Sequence, residues 1–539
     1  MIHMQNIHLP PFPPKCRASR GLRAVFCAFA AIFAAVLLRG EGTGSTSAGK
    51  VIYYSEYGAK GDGVTDDLGA IIKAHAAANR AGAKVRADAG ATYYVGGSGG
   101  TAEIQTDTDW GDAKFIIDDS KLGPKKNNRH LFNVSSTLPE TGITSVKTLR
   151  KNQGKLDVSL PHDSVVVATD KTTKRFIREG LNQNNGQSQT DVFIAGKNGV
   201  IDANAPVIWD FNNISSLTAH PIDTEPLVLK GGFFTTIANQ AESKYTYYTR
   251  GINITRSNVV VSDVSHAIKG EGEHGAPYSG FIAISECANV VVQNCGLSGH
   301  KTYKTIGSGK APVSMGSYDA TVNRSINVTF RNCRQINDIN DTKRWGIFAS
   351  NYSKNIMFDN VVFSRFDAHC GVWNATIKNS VLGHVGINLT GGGTFLIENS
   401  EVRAQGGFIN LRNDYGSTWE GEVIIHNCVY APANGAKAGY VLLNGQNSGR
   451  HDFGYTCHMP EKITIDGLVI DDRDHPANYS GPRIFANFNA AFTSEKYQEQ
   501  YPYVITREVD IKNLTVKSGK KLGVSDNRFM FRNVRIARE

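Results

Sequence analysis

The chain has 539 residues, 40% of them hydrophobic, and a formal net charge of +9. Residues 1–49 carry five Lys/Arg and one Glu, so the rest carries +5, a mildly basic balance that suits an acidic partner without demanding one. The basic residues are scattered among Gly and Asn, which excludes a recognisable nucleic-acid module, and no CxxC or Cys/His spacing suggests zinc.

Residues 1–49 read as a signal peptide with a polar spacer. The apolar run Ala24–Leu38 stands behind Arg17, Arg20 and Arg23. It is short for a bilayer span and suited to a signal-peptide core. A retained membrane anchor is the alternative. The expectation is a secreted, periplasmic or cell-surface protein with no stable membrane insertion once the leader is removed.

YGAKGDGVTDD follows at 57–67, then LGAIIKAHAAANRAG at 68–82 and AGATYYV at 89–95. Leu68, Ile71, Ile72, His75 and Ala76 share one helical face, with Thr65 and Asp66 as capping candidates, so a helix within 66–81 is predicted. Gly61 and Gly63 suit a tight turn rather than a phosphate cradle. This stretch resembles the opening motif of the pectate-lyase-like superfamily of right-handed parallel β-helices, which includes phage tailspikes, polysaccharide lyases and glycoside hydrolases. The resemblance implies an all-β fold, a pectin-lyase-like solenoid whose open end the helix would cap.

Residues 100–245 are less regular. VVVATD (165–170), DVFIAGKNGVID (191–202) and PLVLKGG (226–232) read as strands, and 171–190 as an exposed loop. The coils become explicit from 246, and over 289–430 one phrase returns: NVVVQNC, NVTFRNC, NIMFDNV, NATIKNS, TFLIENS and EVIIHNC. Each alternates apolar and polar residues and reaches an Asn, at 294, 332, 360, 379, 399 and 427. Period two makes each copy a strand. A fixed core with variable insertions makes the array a solenoid. Asn tolerates the left-handed turn that ends each strand, and stacked amides can bond along the coil. Hairpin turn signals every 8–12 residues, which a sandwich would need, are missing. Residues 50–539 are therefore expected as one β-helix domain: a cap motif at 50–95, central coils at 246–430, and closing coils with an insertion at 431–539. Cys295, Cys333 and Cys428 recur after the ladder Asn, as small buried residues would; a Cys295–Cys333 disulfide is the alternative.

A second pattern follows the ladder Asn. Arg365, Asp367 and His369 alternate with Phe366, Ala368 and Cys370; His384, Gly386 and Asn388 alternate with Val385, Ile387 and Leu389; Asn410, Arg412 and Asp414 alternate with Ile409, Leu411 and Asn413. With apolar members inward, the polar rows form one outward patch on coils about 4.8 Å apart. This register sets Arg365 beside His384 and His369 beside Asn388. Three inserts, GEGEHGAPY, GHKTYKTIGSGK and NDINDTKRW, would wall a groove with His274, His300, Lys301, Tyr303 and Arg344. Glu271, Glu273, Asp338 and Asp341 in those inserts are candidate calcium ligands, or equally caps and turns.

A straight groove suits a linear polymer. Arg412 and Asn388 can neutralise a uronate carboxylate, which acidifies the adjacent C–H for a base, His369 or His384, while Tyr415 returns a proton to the leaving oxygen. That is β-elimination. Arg365, Asp367, Asn410 and Asp414 join the substrate-binding set. The chain also resembles β-helix proteins of polysaccharide-degrading bacteria through GEGEHGAPY, GHKTY, NDIND, SRFDAHCGVWNATI and LRNDYGSTWEGE. That resemblance implies an exported enzyme similar to lyases acting on glycosaminoglycans such as chondroitin or dermatan sulfate. Polygalacturonase and pectate-lyase signatures are absent, which argues against pectin. Two alternatives stand beside it: a glycoside hydrolase using Asp367 with Asp414, or Asp338 with Asp341, and a non-catalytic tailspike-like binder.

Overall fold

Each Asn-terminated repeat forms a short strand that stacks in parallel on the one before it. Val290, Val328, Ile356, Ala375, Phe395, Val423 and Ile463 stand in register on successive coils, and all are buried. The computed structural model describes residues 50–539 apart from 98, 123–128, 181–184, 243–246, 273–275 and 307–311. One parallel ladder runs from Val51–Tyr53 to Arg535–Arg538, with further parallel ladders beside it. The protein is a parallel β-helix. Among the described residues no helix is long and apolar enough to cross a membrane; the expected leader lies outside them.

Each repeated strand ends in an Asn turn, and the first four copies also begin with one. Asn294, Asn332, Asn360, Asn379, Asn399 and Asn427 all have positive φ, as the repeat predicts. Asn258, Asn289, Asn327, Asn355 and Asn374 do too, at the other end of the strand. Their amides form a chain, each Nδ2 donating to the preceding Oδ1 at 2.9–3.1 Å. Such a chain satisfies polar groups where the backbone cannot, and it tolerates the left-handed turn. The six cysteines outside the leader are free and buried.

The helix spans Leu68–Ala81 and buries Leu68, Ile71, Ala74, His75 and Ala78. His75 Nε2 lies 2.9 Å from the Tyr54 hydroxyl, which accepts the Trp110 indole N–H at 2.9 Å. The helix thus seals an aromatic first layer. Asp66 accepts the Leu68 N–H. Asp67 instead fixes the glycine turn by accepting from Lys60 and Gly61.

The irregular region departs from the coil. Gln187–Ala195, Ser164–Arg175, Ser216–Pro221 and Thr141–Gly142 form a four-stranded antiparallel sheet with its own core of Leu149, Val166, Phe193 and Phe211. Its opposite face, through Val165, Val167 and Val192, packs on Ala288 and Ile326 of the coil. The segment 171–190 is expected as an exposed loop, yet its described ends, 171–175 and 187–190, extend two of these strands, and Phe176 and Arg178 reach the coil face.

Candidate active site

The strand Val362–Lys378 brings Arg365, Asp367 and His369 to one face while Phe366 and Ala368 enter the core. The alternation holds through Ala368 and then breaks: the register shifts, and Cys370, expected inside, leaves the coil core to pack with Phe176 and Tyr415. The outward groups are not solvated. Asp367 is fully buried and Arg365 is 3% exposed, with the guanidinium of Arg365 4.7 Å over the Trp345 ring.

The register differs from the expected one. Phe363 pairs with Leu382, yet Arg365 pairs with Gly386 and Asp367 with Asn388. A local bulge around Gly383–Val385 causes the slip, because the His384 N–H donates to the Ile339 carbonyl at 3.0 Å. A Cβ on Gly383 would lie 2.1 Å from that same oxygen, so only glycine lets the loop approach so closely. His384 is thereby drawn to the 337–345 loop. Burial lowers its pKa, and its environment holds the Arg344 backbone, Asp341, Arg365 and Asp338. Asn388 is not beside His369. It stands in a third amide row, accepting from Asn410 at 2.9 Å, which accepts from Asn444 at 3.0 Å.

A cluster of titratable side chains assembles around His369. Asn351 donates its Nδ2–H to Asn323 at 2.7 Å and accepts the Cys370 N–H, so its Oδ1 faces His369 Nδ1 at 2.9 Å. Nδ1 must then carry the proton, which leaves Nε2 a bare acceptor. The Tyr415 hydroxyl lies 3.2 Å from Nε2. The Asn413–Tyr415 turn, closed by Gly416 at φ 81°, aims Tyr415 back at the strand. Burial, with the charges of Arg412 and Arg178, lowers the His369 pKa to about 3, so the ring is neutral. Burial, with Cys370 beside it, raises the Tyr415 pKa, so the phenol keeps its proton.

Around this pair lie three guanidiniums and two carboxylates. Asp367 accepts from Arg365 at 2.6 Å and from Arg412 at 2.9 Å. Asp414 accepts from Arg412 at 2.9 Å and from Arg178 at 2.7 Å. Burial alone would raise both carboxyl pKa values, but the arginines hold both below the usual carboxylate range. The cluster carries one net positive charge. The Nε atoms of Arg365 and Arg412 are buried without a hydrogen-bond partner. Arg178 was not legible in sequence, since its partner Asp414 is 236 residues away.

The other expected groove residues are internal supports. His300 is 1% exposed, with Nδ1 3.0 Å from Glu271 and Nε2 3.0 Å from Asp319. Burial would lower its pKa, but the two carboxylates raise it to about 10. Tyr303 is buried and donates to Glu271, and Lys301 Nζ donates to the Glu271 carbonyl. Asp319 also holds His266 at 2.7 Å, a pair the sequence reading overlooked. Both ring nitrogens of His300 are occupied, so it cannot bind substrate. Asp338 and Asp341 cap the Asn340 and Lys343 N–H groups, and Asp341 pairs with Arg344, whose Nη1 donates to Gly299. Glu273 and His274 lie outside the described residues. Among the described residues no three His, Cys, Asp or Glu are grouped to hold a metal ion; of the calcium candidates, Glu271, Asp338 and Asp341 make the hydrogen bonds and ion pairs given above.

No family model and no curated protein matches the chain. Solved structures do. The Pseudomonas phage phi297 tailspike gp61 is 14% identical, with 86% of this chain and 80% of that one covered at a TM-score of 0.48. The tailspike Gp54 of Acinetobacter baumannii bacteriophage AP22, solved with capsular saccharide, is 11% identical over 86% and 72% of the two chains, with a TM-score of 0.48. The A-module of the Azotobacter vinelandii mannuronan C-5 epimerase AlgE6 is 11% identical over 90% and 99%, at 0.38.

Proposed function

We propose that the protein is an exported lyase that cleaves a uronic-acid polysaccharide, of the glycosaminoglycan class, by β-elimination. The observation that carries this reading is the His369–Tyr415 pair: a neutral imidazole with bare Nε2, 3.2 Å from a protonated phenol, beside a cluster of net charge +1. A uronate carboxylate on the Arg365–Arg412 side balances that charge and acidifies the C5 proton. His369 Nε2 takes this proton. The C–H electron pair becomes the C4=C5 double bond, the C4–O bond breaks, and Tyr415 protonates the leaving oxygen. Imidazolium and phenolate then face each other, and one proton transfer between them restores the pair.

A hydrolase needs a carboxylic acid that still holds its proton. Asp367 and Asp414 are both ionised by arginine, which counts against that reading. The test is incubation with a panel of acidic polysaccharides. The expected result is new ultraviolet absorbance from unsaturated uronate, lost in His369→Ala. Reducing ends without absorbance would point to hydrolysis, and binding without either to a non-catalytic fibre.

A further inference from the structure

A cavity of about 310 Å³ lies between the antiparallel insert and the coil, beside the reacting pair and outside the mechanism just described. Its floor follows Ser353, Val372 and Gly391, which pair in register, then Thr418, whose carbonyl accepts the Gly391 N–H at 3.2 Å and whose hydroxyl accepts the His458 N–H at 3.0 Å. The cavity thus runs along five successive coils, roughly 19 Å at about 4.8 Å per coil. Its direction is that of the coil axis. The insert roofs it with Arg175, Phe176, Ile208 and Trp209.

Three features define what would fit. Trp209 on the roof and Trp373 and Tyr455 on the coil side expose aromatic surface to the cavity. A pyranose ring has an apolar C–H face that packs on such rings while its hydroxyls reach polar groups at the rim. Those groups are Lys151 and Arg175, the latter stacked 4.6 Å over Trp209. Finally, the cavity adjoins the reacting pair: Cys370 lines it, and its Sγ lies 3.3 Å from His369 Nδ1 and 3.6 Å from the Tyr415 hydroxyl.

We infer that this roofed trough is an oligosaccharide subsite, holding the sugar residues that flank the cleaved one. The inference rests on the polysaccharide reading above and extends it to sugars that do not react. Chain length then matters, because a short oligosaccharide leaves the trough empty and a longer one fills it.

The experiment uses the full chain carrying His369→Ala, so that binding is read without turnover. Chondroitin, hyaluronan and alginate hexasaccharides are titrated while tryptophan fluorescence is followed. At least one should perturb the fluorescence, and Trp209→Ala or Trp373→Ala should weaken its binding by about tenfold. In the active background the same changes should raise KM for the hexasaccharide more than for the tetrasaccharide. Trp209→Phe, which keeps an aromatic face, should restore most of the affinity. Unchanged affinity in both alanine variants, with an unaltered melting temperature, overturns the subsite even if unsaturated product still forms. Tryptophan-dependent binding with no elimination on any polymer sinks the lyase reading and leaves the subsite standing. Failure of all three hexasaccharides to bind overturns it as well.

Discussion

His369 gains its chemistry from its neighbours. The Asn351 oxygen selects its tautomer, burial and Arg412 keep it neutral, and Tyr415, 3.2 Å from Nε2, is the second proton site of the proposed mechanism. Removing a general base costs about 10²–10⁴ in rate. His369→Ala should therefore lose elimination while polymer binding persists, and Tyr415→Phe should fall in the same range; full activity in either removes the pair from the mechanism. The low pKa sets the pH profile. Free imidazole loses its base function below about 6.5, whereas His369 with a pKa near 3 stays unprotonated far lower. The acid limb of kcat/KM should lie well below pH 6. Bound uronate offsets the Arg412 and Arg178 charges, so the limb of kcat should sit higher than that of kcat/KM. An acid limb of kcat/KM near 6.5 would contradict the cluster's role. The same depressed pKa makes its stability contribution complete above about pH 6.5 and progressively lost as pH falls toward 3. Asp367 behaves differently. It is fully buried between Arg365 and Arg412, so Asp367→Asn leaves Arg365 without a carboxylate and Arg412 with only the Asp414 it shares with Arg178, and should cost about 3–5 kcal/mol of stability. Thermal melting should show that loss, separating it from the catalytic effect at His369.

At the level of elements, the coil was legible because its signal is local. Each strand alternates with period two and ends in an Asn whose left-handed turn the structure shows at every ladder position. The outward row Arg365, Asp367 and His369 follows from the same alternation. Two things were not legible. The slip after Phe363 arises from a contact between Gly383–His384 and the Ile339 loop, and periodicity says nothing about which loop docks where. Arg178 reaches Asp414 from an insert whose polar composition reads as a surface loop. The exposed-looking His300 and Tyr303 became buried because the inserts fold over their own acidic residues. Gly383 tests the docking directly. Gly383→Ala forces a Cβ to within 2.1 Å of the Ile339 oxygen unless the loop retreats, a cost of about 1–3 kcal/mol. Retreat also moves Trp345 from beneath Arg365. A lower melting temperature with a raised KM is expected, and an unaltered KM would show that the loop does not shape the groove.

For the whole molecule, the insert and the coil must act together, because Arg178 belongs to one and Asp414 to the other. What joins them is partly electrostatic. Lys354 of the coil and Asp191 of the insert are each 1% exposed at the side chain and 2.8 Å apart. Burial lowers the Lys354 pKa against the pull of Asp191. Removing one member of such a pair strands the other charge, at about 3–5 kcal/mol, whereas replacing both with apolar groups is often neutral. Lys354→Met should therefore loosen the insert, speed proteolysis within 141–221 and lower activity through loss of the Arg178 contact. Lys354→Met combined with Asp191→Leu should recover most of the stability, since Val165, Val167 and Val192 still pack on Ala288 and Ile326. Activity should return with it. Recovered stability without recovered activity would mean that the ion pair sets the angle of the insert, and with it the position of Arg178, rather than only holding the two parts together.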